Sequence, residues 1–246
     1  MISGPALFGQ YAFPPNVHGY CGPADAGLTE GLVSVDASAE LRHIVQQFEG
    51  AWPYLELIGG CTGMDPLDPM VVEAYWVGNA LLDRIDTLVW GNSMDGRFRR
   101  RAGASWDNID GGIPGGRPNH AFHVFCVYPW VGLLRSGYAD HALEVIDRCR
   151  IRWGTVLGVD GDRAVVECRP LVWNGEDLAL GEIERETVRM SVSGSPVNAG
   201  DIVALHWDYV CDVLTRRQLG RLRQETARHM RIANQPTREL ESVMES

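Results

Sequence analysis

The sequence contains no lysine, so all 22 of its basic residues are arginine. Without lysine the chain cannot form a Schiff base with a carbonyl substrate or with pyridoxal phosphate, and it has no phosphate-loop lysine. It also lacks an excess of positive charge, because 32 acidic residues give a formal net charge of −10 and both halves of the chain are net acidic. Binding to a nucleic-acid backbone needs a basic surface, so we expect no nucleic-acid partner.

Long apolar segments are missing as well. The longest apolar run, residues 121–134, is too short to cross about 30 Å of hydrocarbon, and it contains His123, Pro129 and Gly132. The first residues do not show the basic segment followed by an apolar segment that is typical of a secretory signal. These observations predict a cytoplasmic protein without a membrane partner.

The six cysteines are scattered, and no two of them have the spacing of a CxxC motif. In a reducing cytoplasm such cysteines are free thiols rather than a disulfide framework. Most of them should be small buried residues. With 45% hydrophobic and 22% charged residues, the composition is that of a globular protein with a substantial core.

The N-terminal part of the chain carries helical signals. The clearest helix begins with Asp68 as its N-cap and Pro69 at the first helical position, and an apolar face follows. Residues 120–134 are apolar on all sides, which predicts a buried helix with a kink near Pro129. We therefore expect this part to be mostly α-helical.

Two segments of the N-terminal part lack helical signals. Residues 1–35 are rich in turn-forming and aromatic residues, and Pro14 and Pro15 argue against a helix there. Their aromatic side chains predict that this segment packs onto the body of the protein. Residues 102–119 contain five glycines and two prolines, which predicts a long loop.

From Cys149 onwards the pattern changes to short strands. Apolar β-rich runs flank residues 160–162, whose Asp-Gly-Asp sequence is a strong hairpin signal. Further runs at 178–190 and 202–207 predict a small barrel, and a helix follows from about residue 215 to residue 232.

Together these patterns predict an α+β fold. A mostly α-helical domain covers residues 1–148, and residues 149–233 form a small OB-like β-barrel with a C-terminal helix. Residues 234–246 form a polar tail.

Cys149 and His206 are the sharpest candidates for chemistry. Cys149 lies where the helical part meets the strands, among Arg148, Arg150 and Arg152, and cationic neighbours lower the pKa of a thiol toward the reactive thiolate. A thiolate and an imidazole on adjacent strands could bind a soft or borderline metal, or they could form a Cys–His nucleophile pair. The plainer interpretation is a buried thiol beside an unrelated histidine.

An ordered series of short motifs starts at Cys149 and ends near Glu225. The series begins with a cysteine, which is followed by an apolar strand and Gly-x-Val. An Asp-Gly hairpin and Ala-x-Val come next. The series ends with Gly-Asp-x-Val-x-x-His, which is followed by an aromatic residue and a helix. The residues that carry these motifs are Cys149, Gly154, Val156, Gly161, Ala164, Val166, Gly200, Asp201, Val203, His206 and Tyr209. In this order and spacing the stretch resembles the HypC/HupF family of hydrogenase-maturation chaperones.

The resemblance implies a role in the assembly of nickel–iron hydrogenase. In that family the cysteine, helped by the histidine, holds an iron that carries cyanide and carbonyl ligands and passes it to the hydrogenase large subunit. By implication, Cys149 would bind the iron and His206 would assist. The partner would be the large-subunit precursor or another maturation protein, and homo-oligomerisation is left open. Delivery of this kind requires an exposed and mobile Cys149.

The N-terminal half shows a second resemblance. Its motifs at residues 11–16, 19–23, 73–79 and 120–125 are similar to those of an uncharacterised actinobacterial family, which is associated with hydrogenase gene neighbourhoods. This resemblance assigns no role to any residue.

A second candidate metal site lies in the helical part. His120 and His123 share a helix face, and Cys126 follows three residues later. Together with His18 or Cys21 from the aromatic segment, they could complete a tetrahedral site for a zinc-like ion. Alternatively, His120 caps the helix and His123 is a hydrogen-bonded core residue.

Two other functions remain as alternatives to the accessory role. The first is a metal-dependent enzyme acting on a small molecule linked to cofactor assembly, with its site at His120 and His123 or at the domain junction, and it needs a deep pocket with converging polar groups. The second is a scaffold without chemistry, which needs an exposed apolar patch. The remaining histidines, His43, His141 and His229, lie among polar helical neighbours and are expected at the surface.

Overall fold

The computed structural model describes residues 2–25, 27–34, 38–102, 106–137, 139–190 and 196–235. The helices are α1 (Gly4–Val17), α2 (Glu30–Ser34), α3 (Ser38–Val45), α4 (Trp52–Thr62), α5 (Pro69–Trp76), α6 (Thr87–Ala102), α7 (Trp106–Gly112), α8 (His120–Phe122), α9 (Trp130–Arg135), α10 (Ala139–Cys149) and α11 (Arg216–Ala233). The strands are β1 (Arg152–Asp160), β2 (Arg163–Cys168), β3 (Leu171–Trp173), β4 (Leu178–Leu180), β5 (Glu184–Met190), β6 (Ile202–His206) and β7 (Tyr209–Val213). The predicted polar tail lies outside the described residues from residue 236 onwards.

The strand-rich part forms a barrel. Within the described residues, five strands close in the order β1-β2-β5-β7-β6, and neighbours are antiparallel except for the parallel pair of β5 and β7. The β1–β2 hairpin turns at Gly161, whose φ of 58° is readily adopted by glycine. β3 and β4 pair in a separate two-stranded sheet. The predicted α+β class with a small barrel and a C-terminal helix is therefore confirmed.

The aromatic N-terminal segment is helical, so the expectation that Pro14 and Pro15 exclude a helix there is wrong. α1 begins at Gly4, after Ser3 accepts a hydrogen bond from its first turn, and it runs through both prolines. A proline in a helix removes one hydrogen bond and displaces the carbonyl four residues earlier. Here most of the helix surface is buried, and this packing offsets the local cost.

Residues 102–119 also contain more regular structure than predicted. α7 occupies Trp106–Gly112, and a 3-10 turn with the buried Ile113 follows it, while residues 103–105 lie outside the described part. Near Pro129, where a kink in one buried helix was predicted, the helix is interrupted. α8 continues as a π-helical turn, and the backbone is extended at Tyr128 before α9 begins.

One continuous core joins the helical part to the barrel. It contains Phe8 and Trp76 from the helices, Ala204 and Cys211 from the barrel, and Leu219 from α11. α1 packs directly on β6 and β7. Among the helices that the structure describes, none combines the length and the apolar character needed to cross a membrane. Because the core runs through both parts, the junction between the helical part and the barrel is a packed interior.

We expect Thr215→Ala to destabilise α11. The Thr215 hydroxyl accepts the amide hydrogen of Gln218 at 3.2 Å, and the Gln218 side chain accepts the amide hydrogen of Thr215 at 2.9 Å. Losing the Thr half of such a capping box costs about 1 kcal/mol. Urea denaturation measures this change, and Thr215→Ser, which keeps the hydroxyl, is the matched control. Equal unfolding free energies for the Ala and Ser variants would contradict the prediction.

Candidate metal centre at the junction

Three residues that are distant in sequence meet where the helical part joins the barrel. His120 begins α8, Cys149 ends α10, and His206 ends β6. β1 and β6 pair antiparallel with Arg152 opposite Leu205, so the residue after β6 lies beside the residues before β1. The amide of Trp207 accordingly donates to the carbonyl of Arg148 at 2.9 Å. Strand pairing thus brings His206 to Cys149.

We call His120, Cys149 and His206 the junction site. One ligand atom from each residue lies within 4.8 Å of the other two, and all three residues are buried. Bonds to a zinc-like ion are about 2.0–2.1 Å from nitrogen and about 2.3 Å from sulfur. The three atoms can therefore converge on one ion after movements of about an ångström.

The His120 ring is held on both sides. Asn119 caps α8 by accepting the amide hydrogen of Phe122 at 3.2 Å, which fixes the start of the turn. The ring Nε2–H donates to the carbonyl of Cys149 at 2.9 Å, and the hydroxyl of Tyr75 approaches Nδ1 at 3.4 Å. To bind a metal through Nε2, this ring must move its proton to Nδ1 and exchange the bond to Cys149.

The His206 ring is already arranged as a ligand. Its Nδ1–H donates to the carbonyl of Tyr11 at 2.6 Å, which leaves Nε2 with the free lone pair. In the part of the chain that the structure describes, Nε2 is buried and makes no hydrogen bond of normal geometry, although the Cys149 carbonyl acts on the ring in the direction that raises its pKa. A buried polar atom without a partner is costly, and a metal ion in the junction site would satisfy it.

Pro15 explains why the carbonyl of Tyr11 is available. In a regular helix this carbonyl would accept the amide hydrogen of residue 15, four positions later. Pro15 has no amide hydrogen, so the carbonyl has no partner within α1 and can bind His206 in the barrel. Pro15, one of the two prolines that predicted the absence of a helix, therefore leaves an acceptor for His206.

Burial keeps both imidazoles neutral. Loss of solvation lowers the pKa of His120 to about 4, against the small opposing effect of the Cys149 carbonyl. Loss of solvation also lowers the pKa of His206 well below its usual value, and the charge of His120 adds to this effect. Neutral imidazole is the form that binds metals. At neutral pH both rings can act as ligands without first losing a proton.

The three arginines next to Cys149 in sequence do not activate its thiol, so that expectation is wrong. Arg148 and Arg152 pair with Glu186 at 2.9 and 2.5 Å, and Arg150 pairs with Asp147 at 2.8 Å. The carboxylates of Glu186 and Asp147 therefore balance the positive charges of the three arginines. Burial instead raises the pKa of the Cys149 thiol, so the thiolate forms only when a cation stabilises it.

Cys149 is also not exposed, contrary to what direct delivery from its thiol requires. Its side chain is 4% exposed, and it packs among buried apolar residues of α10 and the π-helical turn. A ligand bound here is enclosed by protein on all sides. Release of anything bound at Cys149 would therefore require part of the covering structure to open.

The predicted helical metal site is not assembled. His123 faces the hydroxyl of Tyr54 at 3.2 Å and the ring of Tyr128, which agrees with its interpretation as a hydrogen-bonded core histidine. Cys126 lies between two core clusters. Neither residue belongs to the junction site. Of that predicted group, the structure brings only His120 to the other ligands.

The two candidates from the aromatic segment, His18 and Cys21, do not belong to the junction site. His18 forms a surface ion pair with Asp208 at 2.7 Å, so it is not directed at the junction site. Cys21 is partly buried and packs against the core. Of the histidines expected at the surface, His43 and His141 are exposed, but His229 is fully buried and that expectation is wrong.

Sequence reasoning missed the residues that orient the ligands. The carbonyl of Tyr11 and the hydroxyl of Tyr75 contact the two imidazoles, and Trp76 packs against both rings at centroid distances of 4.6 and 5.6 Å. The only available signal was a proline pair inside an aromatic segment. Backbone carbonyls and packing aromatics have no motif of their own.

The donor set defines what the site can do. One thiolate and two imidazoles suit zinc, iron, cobalt or copper, whereas magnesium and calcium prefer oxygen ligands. The fold and this site together define an α+β protein with a buried histidine–cysteine group between a helical part and a small barrel. The chain belongs to DUF6390, a family of unknown function, whose profile matches residues 1–240. Comparisons with curated proteins and with solved structures gave no match.

Proposed function

We propose that this protein is a metal-binding accessory protein in nickel–iron hydrogenase maturation and that the junction site holds its iron. The observation that carries the proposal is the convergence of a buried Cys149 with His120 and His206, whose Nε2 makes no hydrogen bond of normal geometry within the described chain. Cys149 and His206 are the two residues that the resemblance to the HypC/HupF family singles out. His120 is supplied by the helical part.

The geometry favours holding iron over turning over a substrate. All three side chains are at most 4% exposed, so water and substrates have no direct access to the ion. Cysteine and histidine together suit iron, and the iron with its cyanide and carbonyl ligands would be cargo rather than a resident catalyst. The large-subunit precursor is the partner that this role requires, but the burial of Cys149 counts against delivery from its thiol, so we limit the proposal to holding the iron.

The test is metal and infrared analysis of the protein purified anaerobically from its native host. We expect iron with cyanide and carbonyl stretching bands in the wild type and in Cys126→Ala. We expect both to be lost in Cys149→Ala, because the thiolate is the anionic ligand. Cys126 is a matched control, since it lies in the same core and belongs to the alternative helical site.

Each other outcome contradicts a defined part of the proposal. Metal without cyanide and carbonyl bands would exclude the maturation role and favour the alternative of a metal-dependent enzyme. Metal lost in Cys126→Ala but kept in Cys149→Ala would move the site to the helical part. A wild type that neither carries iron nor takes it up anaerobically would exclude the metal site.

A further inference from the structure

We infer that Tyr75 lets His120 switch between a free form and a metal-binding form, a role that rests on the metal binding proposed above. In the free form, the Nε2–H of His120 donates to the carbonyl of Cys149 at 2.9 Å. In the metal-binding form, the hydrogen lies on Nδ1 and the hydroxyl of Tyr75 accepts it. Tyr75 is thus a positioning residue, and His120 is a ligand that can join and leave the ion.

The two imidazoles of the junction site differ in the group that faces their Nδ1 atoms. The Nδ1–H of His206 donates to the carbonyl of Tyr11 at 2.6 Å, and a carbonyl oxygen can only accept a hydrogen bond. The Nδ1 of His120 lies 3.4 Å from the hydroxyl of Tyr75, and a hydroxyl can both donate and accept. His206 is therefore fixed in one form, whereas His120 can adopt either of two.

The hydrogen bonds also assign the form of His120 in the metal-free protein. Because the carbonyl of Cys149 can only accept, the one hydrogen of the neutral ring lies on Nε2. Nδ1 then carries a lone pair, to which the hydroxyl of Tyr75 donates. In this form the Nε2 of His120 has no lone pair for a metal ion.

Metal binding reverses the direction of the bond between Tyr75 and His120. The Cys149 thiol loses its proton to solvent, and its sulfur forms one bond to the divalent cation. The His120 ring keeps a single hydrogen, because one leaves Nε2 and one joins Nδ1. The Tyr75 hydroxyl turns its own hydrogen away and accepts from Nδ1–H, and a metal-binding histidine almost always donates its other ring N–H to an oxygen in this way.

The surrounding rings hold the Tyr75 hydroxyl in place beside His120. Tyr75 is 2% exposed, and its ring packs edge-on to His120 at a centroid distance of 5.7 Å. The rings of Tyr54 and Trp76 also pack against it, at 5.6 and 4.8 Å. This packing fixes the ring of Tyr75 but leaves the hydroxyl hydrogen free to turn, so the switch needs no movement of α5.

The difference between the two imidazoles gives the order in which the ligands join. His206 already presents its Nε2 lone pair, so it binds the ion together with the Cys149 thiolate. His120 joins when its hydrogen moves to Nδ1, and it leaves when Nε2 returns to the carbonyl of Cys149. Tyr75 therefore sets how tightly the third ligand is held, and with it the affinity of the site.

The test measures the Co(II) affinity of the full chain by competition with a chromophoric chelator. We expect Tyr75→Phe, which keeps the ring and removes the hydroxyl, to bind Co(II) about 10-fold more weakly, at the lower end of the usual effect of losing a group that orients a metal-binding histidine. The metal-bound form loses more than the free form because the N–H of a metal-bound imidazole makes a stronger, charge-assisted hydrogen bond.

Tyr54→Phe is the matched control. It removes a neighbouring buried hydroxyl, but this hydroxyl contacts His123 at 3.2 Å, and His123 does not belong to the junction site. Its Co(II) affinity should match that of the wild type. Equal affinities of Tyr75→Phe and the wild type would overturn the inference and leave the junction site in place.

The His120→Ala background separates positioning from a general effect on the fold. Because Tyr75 acts through His120, Tyr75→Phe should cause no further loss of Co(II) affinity in this background. A further loss as large as in the wild-type background would overturn the inference, since it would show that the hydroxyl of Tyr75 supports the site in another way.

Nitrogen NMR of isotope-labelled histidine follows His120 in the wild type, and His120→Ala assigns its signals because it lacks them. We expect the ring hydrogen to move from Nε2 to Nδ1 when zinc is added. A ring that keeps its Nε2–H in the zinc-loaded protein would overturn the inference, while leaving Cys149 and His206 as ligands. Failure of the wild type to bind Co(II) or zinc at all would exclude the metal site itself and the proposed function with it.

Discussion

The metal-free protein should unfold between about pH 5.5 and about pH 4, far above the range in which carboxylates alone cause acid denaturation. Four histidines cause this. His120, His123 and His229 have pKa values lowered to about 4, 3 and 3, and the pKa of His206 is also well below its usual value. Loss of solvation is the largest cause for each of them.

The sign follows from proton binding in the two states. In the unfolded chain each histidine takes up a proton near pH 6.5, but in the folded chain it stays neutral until a much lower pH. The stability that these residues contribute is present above pH 6.5 and is lost as the pH falls toward their folded pKa values. In this range each histidine lowers the free energy of unfolding by about 1.4 kcal/mol for every pH unit that the pH falls. All four together therefore lower it by about 5 kcal/mol per pH unit. The whole stability of a domain is about 5–15 kcal/mol.

Urea denaturation at a series of pH values measures this slope. His229→Gln should reduce it by about a quarter, because glutamine can accept from the amide of Arg117 and donate to the carbonyl of Glu225, as His229 does. His43→Gln, a change on the exposed face of α3, should leave it unchanged. Equal stability at pH 5 and pH 7 would show that these histidines do not stay neutral in the folded protein.

The same histidines show where sequence reasoning succeeds. The change of pattern at Cys149, the Asp-Gly hairpin and the N-cap at Asp68 all report on structure within a few residues, and the structure confirms them. His206 at the end of an apolar strand was predictable for the same reason. Local patterns therefore predicted the fold class and pointed to two of the three residues of the junction site.

The position of His120, the third residue of the junction site, depends on contacts over long sequence distances. His120 meets Cys149 only because the π-helical turn and α10 pack in one core, and no spacing in the sequence encodes that arrangement. The error about His229 has a related cause. His229 lies on the buried face of α11 together with the polar Glu225 and Thr226, and it packs against Phe122 and accepts the amide hydrogen of Arg117. Burial of a single polar side chain is decided by tertiary packing.

The error about α1 is the most instructive, because the feature that misled is next to a contact of the junction site. A proline pair normally ends a helix since it removes hydrogen bonds. In α1 the removal frees the carbonyl of Tyr11, and His206 uses it. The rule that proline ends a helix fails at the residue whose carbonyl accepts from His206. Departures from local sequence rules are expected where another part of the structure depends on them.

We therefore expect Pro15→Ala to weaken metal binding at the junction site by about 10- to 100-fold, the usual effect of losing a group that orients a metal-binding histidine. The new amide hydrogen at position 15 can bond to the carbonyl of Tyr11 within α1, and the straightened helix draws this carbonyl away from the ring. His206 then loses the bond that fixes its Nδ1–H form. Competition with a chromophoric chelator for Co(II) or zinc measures the affinity.

Pro14→Ala is the matched control, because it removes a buried proline of the same helix but restores an amide hydrogen for the carbonyl of Gln10. It should keep the affinity of the wild type. Both variants gain helix propensity, so a general effect on α1 would appear in both. If Pro14→Ala and Pro15→Ala bound metal equally well, the carbonyl of Tyr11 would have no part in orienting His206, and the ring would have to be positioned by its packing against Trp76 and His120.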